Sequence, residues 1–312
     1  MAQTKFLITG ATGSTGGYTV RRLLEKHQAV RVLAHRSDER SEELRELGAE
    51  VVSGDFLDFD AVRAALNGVQ RAYFCYPISP GIVQATAQFA QAAKEAGVEG
   101  IVNMSQKSAR SDAKSEAARQ HWLSERVFDW SGVPTVHLRR TFFAEWLLNL
   151  APMIRQGRMP VPLGSTGRHA PVAAEDQARL IAGILQNPGP HMGKTYPLFG
   201  PLELTQPEIA AIVGKVLGKE VKYENVPIEK FAELRFAGSN QPRQNTSASF
   251  YSDPGAFSPD SGKSFVSQHL KEVAIDHGNG IFAGTNSYIA DISGRQPMTV
   301  EEFVTRNREA FV

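Results

Sequence analysis

Cysteine occurs once in the 312 residues, at Cys75, which rules out an intrachain disulfide and any metal centre built on several thiolates. No metal site is expected. The setting Arg71-Ala-Tyr-Phe-Cys-Tyr76 reads as a buried strand, so Cys75 is expected to be an inert core thiol. Also missing is any apolar run near the roughly 20 residues needed to cross a bilayer. No signal-peptide pattern precedes the first apolar segment, and a cytoplasmic location without membrane association is expected. Neither sign of charge is in excess: 34 Lys and Arg against 33 Asp and Glu leave a net charge of +1. Without a clustered basic face, a nucleic-acid partner is not expected. No internal repeat is evident. At 42% hydrophobic and 21% charged residues, the chain is an ordinary globular one with length for one or two domains.

The chain does have a short apolar run joined to spaced glycines: Lys5-Phe-Leu-Ile-Thr-Gly-Ala-Thr-Gly-Ser-Thr-Gly-Gly17. Gly10, Gly13 and Gly16 follow the pattern of a strand turning into a helix around a dinucleotide phosphate. The first glycine permits a tight turn, the second lets backbone approach the pyrophosphate, and the third lets the helix pack closely on the strand. Val20, Leu23, Leu24 and His27 then recur at helical spacing, so first-turn amides would point at the anion. Three spaced glycines alone are often only a turn; the strand before and helix after make Gly10, Thr12, Gly13, Ser14, Thr15 and Gly16 candidate cofactor-binding residues.

Strand-like and helix-like segments alternate through the first half, the signature of a parallel sheet covered by helices. Strands are expected near Lys5–Thr9, Val30–Ala34, Glu50–Ser53, Arg71–Cys75, Gly100–Met104 and Thr135–Leu138. Helices are expected over Ser14–His27, Asp38–Leu47, Asp58–Leu66, Pro80–Ala96 and Lys114–Trp130, with Pro80 in the first turn of its helix. The fold class is therefore α/β: a Rossmann-type doubly wound parallel sheet over residues 1–150, with a smaller, intimately packed substrate region over 151–312. That region alternates short elements through Arg168–Val172, Glu175–Leu185, Thr195–Leu198, Pro207–Leu217 and Val221–Asn225. A stretch rich in Ser, Pro, Gly, Asn and Gln, 238–262, reads as a long loop. Its Phe250, Tyr251 and Phe257 would let it serve as a lid over a pocket, or it is a surface loop.

Ligands in such sheets lie beyond the carboxyl ends of the strands. Those ends are Gly10–Gly16, His35–Arg36, Asp55–Phe56, Tyr76–Ser79 and Ser105–Lys107. At the second strand's end NAD-preferring folds place Asp or Glu for the ribose hydroxyls, whereas a 2′-phosphate calls for Arg. Here no acid stands at the strand end and Arg36 lies just beyond, so NADP(H) is expected over NAD(H), with His35, Arg36 and Arg40 at the phosphate. Alternatively, Arg36 and Arg40 are solvated charges heading a polar helix. Asp55 would accept from the adenine amino group while Phe56 covers the ring, or Asp55 begins a turn. Tyr76 and Ser105 complete the candidate cofactor set.

Gly10-Ala-Thr-Gly-Ser-Thr-Gly16, Ala49-Glu-Val-Val-Ser-Gly-Asp55, Gly132-Val-Pro-Thr-Val-His-Leu-Arg139, Thr141-Phe-Phe-Ala-Glu145 and Gly294-Arg-Gln-Pro-Met-Thr-Val-Glu-Glu-Phe303 together resemble the NmrA-like atypical short-chain dehydrogenase/reductases. The resemblance covers almost the whole chain. It implies an NAD(P)-binding fold, with activities that include reduction of quinones, triphenylmethane dyes and related aromatic compounds. The family also holds cofactor-sensing regulators without established catalysis.

The wider superfamily uses Tyr-x-x-x-Lys on the fifth helix, and no lysine here has a tyrosine four residues before it. Alignment through Gly132-Val133-Pro134 puts His121 at the lysine position and Ala117 at the tyrosine position. Hydride acceptors that need little acid, such as quinones or cationic dyes, fit this better than ordinary ketones. His121 would hold the nicotinamide ribose or relay a proton near neutral pH, or is a polar histidine bridging within its helix. Ser105 and Lys107 complete the candidate catalytic set. Candidate pocket residues are Ile78, Gln106, Arg140, Phe142, Phe143, Phe250 and Tyr251. Phe142, Phe143 and Trp146 have helical spacing that suits core packing or a pocket wall. Family members often have Pro-Gly where this chain has Arg140-Thr141, a change that introduces positive charge. The expected function is an NADPH-dependent reductase of a small aromatic or quinoid acceptor. The alternative is an NADP(H)-sensing regulator without turnover, with a cofactor-retaining isomerase or epimerase third. A homo-oligomer remains open.

Overall fold

The computed structural model describes residues 5–236 and 262–312. Phe250, Tyr251, Phe257 and all but the last residue of the expected 238–262 loop lie outside the described residues. Strand β1 (Lys5–Thr9) buries Phe6 and Ile8 on one face and Leu7 on the other, the continuous apolar run of a strand covered on both sides. There follow α1 (Ser14–Glu25), β2 (Ala29–Ala34), α2 (Glu39–Glu46), β3 (Glu50–Ser53), α3 (Phe59–Leu66), β4 (Arg71–Phe74), α4 (Ile82–Glu95), β5 (Gly100–Gln106), α5 (Glu116–Ser131) and β6 (Thr135–Arg140). Beyond them come α6 (Trp146–Asn149), α7 (Ala151–Arg155), β7 (Arg158–Val161), β8 (Arg168–His169), α8 (Ala174–Gln186), β9 (Thr195–Leu198), β10 (Leu204–Thr205), α9 (Gln206–Leu217), β11 (Lys222–Asn225), α10 (Ile228–Phe236), α11 (Gly262–Gly278), α12 (Tyr288–Ser293) and α13 (Val300–Arg306).

The main sheet has seven strands in the order β3-β2-β1-β4-β5-β6-β9, all paired parallel. Strand order reverses between β1 and β4, the switch point where such sheets bind ligands. Helices α1, α8 and α12 gather on one face around Phe6, Ile8, Val20, Leu23 and Ile181. Helices α3, α4 and α5 gather on the other around Leu7, Leu66, Phe74, Phe89 and Phe128. A further core of Phe142, Leu147, Ile154, Met159, Val213, Phe303 and Phe311 belongs to the C-terminal region, which carries the two-stranded pairs β10-β8 and β11-β7. Helix starts carry their own chemistry: Asp38 and Ser41 form a reciprocal capping box on α2, as do Thr205 and Glu208 on α9. Among the described residues no helix is long and apolar enough to cross a membrane, and no cluster of His, Cys, Asp or Glu could hold a metal ion.

Several expectations need correction. The division at residue 150 is crossed by the sheet, because β9 pairs with β6 as its seventh strand and α8 packs on α1. Pairing follows register rather than chain order. Strand β5 ends at Gln106 rather than Met104, and β6 at Arg140 rather than Leu138. The ladder continues through Ser105↔Arg139 and Gln106↔Arg140 after the apolar pattern stops. Pro80 precedes α4, whose N-cap is Gly81. Phe142 and Phe143 are not helical: Phe143 bridges Val172 in an extended segment, and α6 starts only at Trp146.

Candidate active site

The glycine turn is built by close contacts that only glycine permits. Gly10 has φ +60°, and the Gly13 amide donates to its carbonyl at 3.0 Å. A Cβ on Gly16 would lie 2.3 Å from that same carbonyl oxygen, so helix and turn touch backbone to backbone. Helix α1 starts at N-cap Gly13 with no side-chain cap, and the buried Thr15 Oγ1 has no hydrogen-bond partner among the described residues. An uncapped helix N-terminus and an unpaired hydroxyl beside it suit an anion. Ser14 is buried in the same first turn, while Thr12 is half-buried. These residues fit a dinucleotide.

At the end of β2, Arg36 is exposed and makes no ion pair among the described residues. Arg40, in contrast, is held by Asp38 at 2.6 Å and reaches the Thr12 carbonyl at 3.4 Å, tying α2 to the glycine turn. Its charge is already balanced. His35 Nδ1 lies 3.6 Å from Asp55 Oδ2. Asp55 Oδ1 accepts from the Leu57 amide at 2.8 Å, so this aspartate begins a turn. Phe56 packs edge-on against Phe74 and Tyr76 at centroid distances of 5.7 and 5.6 Å, and the Tyr76 hydroxyl donates to the Pro80 carbonyl. Cys75 lies beneath Gly10, and burial pushes its thiol pKa up, consistent with an inert thiol.

Strands β5 and β6 end side by side and bring the remaining candidates together. Ser105 is buried with Oγ unpartnered among the described residues. On α5, His121 is buried and its Nε2 is likewise unpartnered. Burial first, then the charge of Arg140 and the nearby His269, lowers its pKa to about 3. Burial thus favours the neutral imidazole, which argues against a proton relay titrating near neutrality. Ala117, on the same helix, is fully buried. Lys107 reaches the C-terminal region: its ammonium donates to the Ile281 carbonyl at 2.9 Å and lies 5.8 Å from the Phe199 ring centre. Burial, then Arg139, lowers its pKa. Lys107 thereby links the end of β5 to the C-terminal region through one of its three donors.

A small, partly open cleft lies at these strand ends and is lined by Gln106, Arg140, Thr141, Phe142, Trp146, His269, Val273 and Phe282. Phe142 meets the rings of Trp146, His169 and His277 edge-on and that of Phe282 at a tilt. Phe143 instead lies under the Arg140 guanidinium, outside the lining. Ile78 belongs to an adjoining apolar cluster with Ile82, Ala117, Phe265, Val266 and Leu270. Sequence reasoning missed His269, Val273 and Phe282, which reach the cleft from α11 and the segment after it. His269 Nδ1 pairs with the Ser115 hydroxyl at 2.7 Å, and its pKa is also about 3, lowered by burial and then by Arg140. No local motif marks these residues, because the contacts span over a hundred positions. Glu145 was also missed. It is buried, accepts from the Ala174 amide at 3.0 Å at the start of α8, and has its pKa raised to about 7 chiefly by burial.

Sheet order, switch point and glycine turn define a dinucleotide-binding α/β protein. The chain belongs to the NmrA-like family, whose model matches residues 2–304. An NAD(P)H azoreductase of Xenophilus azovorans is 28% identical over 308 residues, 98% of each chain. Quinone oxidoreductase 2 of Escherichia coli is 30% identical over 229 residues, 72% of this chain and 79% of that one. Among solved structures, an NADPH-dependent quinone oxidoreductase of Escherichia coli complexed with NADPH superposes with a TM-score of 0.78 at 24% identity, covering 97% of this chain and 99% of that one. This last likeness is one of fold.

Proposed function

We propose that the protein is an NADPH-dependent reductase that transfers hydride to a small aromatic or quinoid acceptor without an ionic acid at the reacting centre. The observation that carries the reading is a cleft walled by Phe142, Trp146 and Phe282 at the ends of β5 and β6, beside a His121 that stays neutral. The azoreductase and quinone reductase named above support the same class of chemistry. The bound cofactor supplies the hydride. Gly10, Gly13 and Gly16 open the backbone to its pyrophosphate, and Arg36, free of any ion pair among the described residues, selects the 2′-phosphate. Ser105 and His121 offer unsatisfied polar atoms to the nicotinamide end or the acceptor. The aromatic walls hold a flat acceptor and keep water away from it. Residues 1–150 with β9 make the cofactor layer, while α11 and Phe282 give the C-terminal region its share of the cleft.

The test is to follow nicotinamide absorbance with NADPH and a panel of quinones, azo dyes and triphenylmethane dyes. Turnover of at least one class well above the uncatalysed rate is expected. Tight NADPH binding with no turnover across the panel would instead make the protein a cofactor-sensing regulator.

A further inference from the structure

Arg140 is a cleft charge that the reductase reading leaves without a task. Its guanidinium carbon sits 4.4 Å from the centre of the Phe143 ring, and no carboxylate pairs with it among the described residues. Its neighbour Arg139 is neutralised by two hydrogen bonds to Glu125, at 2.8 and 2.5 Å. A partly buried cation left beside a ring rather than an acid is an electrostatic deficit that an anion would fill.

Two other polar groups of the cleft have unpartnered donor atoms. Gln106 and Thr141 are 4% and 1% exposed, and Gln106 Nε2 and Thr141 Oγ1 have no hydrogen-bond partner among the described residues. Both line the cleft, and both can donate. No Asp or Glu is part of the lining, and the remaining walls are His269, Val273 and the rings of Phe142, Trp146 and Phe282. One cationic residue and two with unsatisfied donors therefore line the same cleft as these rings.

We infer that Arg140, Gln106 and Thr141 form an anion subsite within the acceptor cleft, so that the protein prefers aromatic acceptors bearing a carboxylate or sulfonate group. The inference rests on the reductase reading for its account of what enters the cleft. A cofactor phosphate is the other source of such an anion. The glycine turn, however, follows β1, three places along the sheet from β6 and on the order of 14 Å away at about 4.8 Å per strand, and Arg36 stands on the opposite side of β1.

The experiment measures kcat/KM with saturating NADPH for naphthoquinone and for naphthoquinone sulfonate, in the natural protein, Arg140→Leu and Arg140→Lys. The ratio of sulfonate to neutral acceptor should fall by about tenfold or more in Arg140→Leu, as expected for loss of a hydrogen bond to a charged group, and by much less in Arg140→Lys. A ratio that stays the same in Arg140→Leu overturns the subsite. So does a loss of NADPH affinity in fluorescence titration with the ratio unchanged, since the cation would then serve the cofactor. If Arg140→Leu does not fold, Arg140→Gln replaces it. A second arm titrates naphthalene sulfonate and uncharged naphthol into the NADP⁺-loaded protein by calorimetry. Arg140-dependent binding of the sulfonate supports the subsite even if no acceptor is reduced, a result that would sink only the reductase reading. Equal binding of both compounds overturns the subsite even where the neutral quinone is turned over.

Discussion

Arg139 and Arg140 are consecutive in β6 and meet opposite fates: Arg139 is clamped by the fully buried Glu125 of α5, while Arg140 enters the cleft with no acid beside it among the described residues. Strand alternation sends neighbours to opposite faces, so one arginine became structural and the other available.

Glu125→Ala should destabilise the fold, because it leaves Arg139 half-buried without its counter-charge. Breaking a buried pair costs roughly 3–5 kcal/mol; with 27% of the Arg139 side chain exposed, the low end is expected. Urea unfolding midpoints test this, and an unchanged midpoint would mean that solvent replaces Glu125.

Arg36→Asp should weaken NADPH binding by about tenfold or more, the scale of a lost charge-assisted hydrogen bond, and leave NADH binding little changed. Arg40→Ala should matter less for the phosphate, since its guanidinium is already held by Asp38. Fluorescence titration with both cofactors decides; equal losses for NADH and NADPH would remove Arg36 from the phosphate site.

Gly16→Ala would put a Cβ 2.3 Å from the Gly10 carbonyl oxygen, and backbone must move to admit it. Overpacking of this kind costs about 1–3 kcal/mol. Melting temperature and NADPH affinity should fall together. Full affinity in a stable variant would mean that the turn tolerates the shift and that close packing there is not required.

His121, with its pKa lowered to about 3, binds fewer protons when folded than when unfolded, where it titrates near 6.5. Its contribution to stability is therefore present above about pH 6.5 and lost as pH falls toward 3, with His269 adding the same sign. The kcat profile should show no inflection from His121 near neutrality. An inflection there that disappears in His121→Asn would restore it as an ionic acid.

Glu145 works in the opposite direction. Its pKa is raised from 4.5 to about 7, so the folded state binds more protons across that window and stability declines as pH rises through it. Glu145→Gln keeps an acceptor for the Ala174 amide and removes the buried charge. The variant should gain stability at pH above 7, by up to the order of 3 kcal/mol, and lose that advantage below pH 4.5. Parallel stability curves for the two proteins would contradict the assignment.

Much of the cofactor half could be read from residues close together in the chain. β1 and β3 coincide with their expected spans, because short runs centred on apolar residues and bounded by turn residues report directly on strands. Reading failed where a polar stretch stayed in the ladder, as at Ser105, Gln106, Arg139 and Arg140, since hydrogen bonding between strands does not depend on side-chain polarity. It failed again at Phe142 and Phe143, whose helical spacing was overridden by the bridge to Val172.

The sequence by itself determined the α/β class, the glycine turn, the NmrA-like family resemblance and the missing Tyr-x-x-x-Lys, all of which reside in residue identity and short-range spacing. Only the tertiary structure decided that β9 completes the sheet, that Lys107 bonds to the Ile281 carbonyl, that burial lowers the His121 pKa and that His269 and Phe282 line the cleft with Arg140. Burial and electrostatic environment arise from groups distant in the chain, and they take their values only when folding brings those groups together.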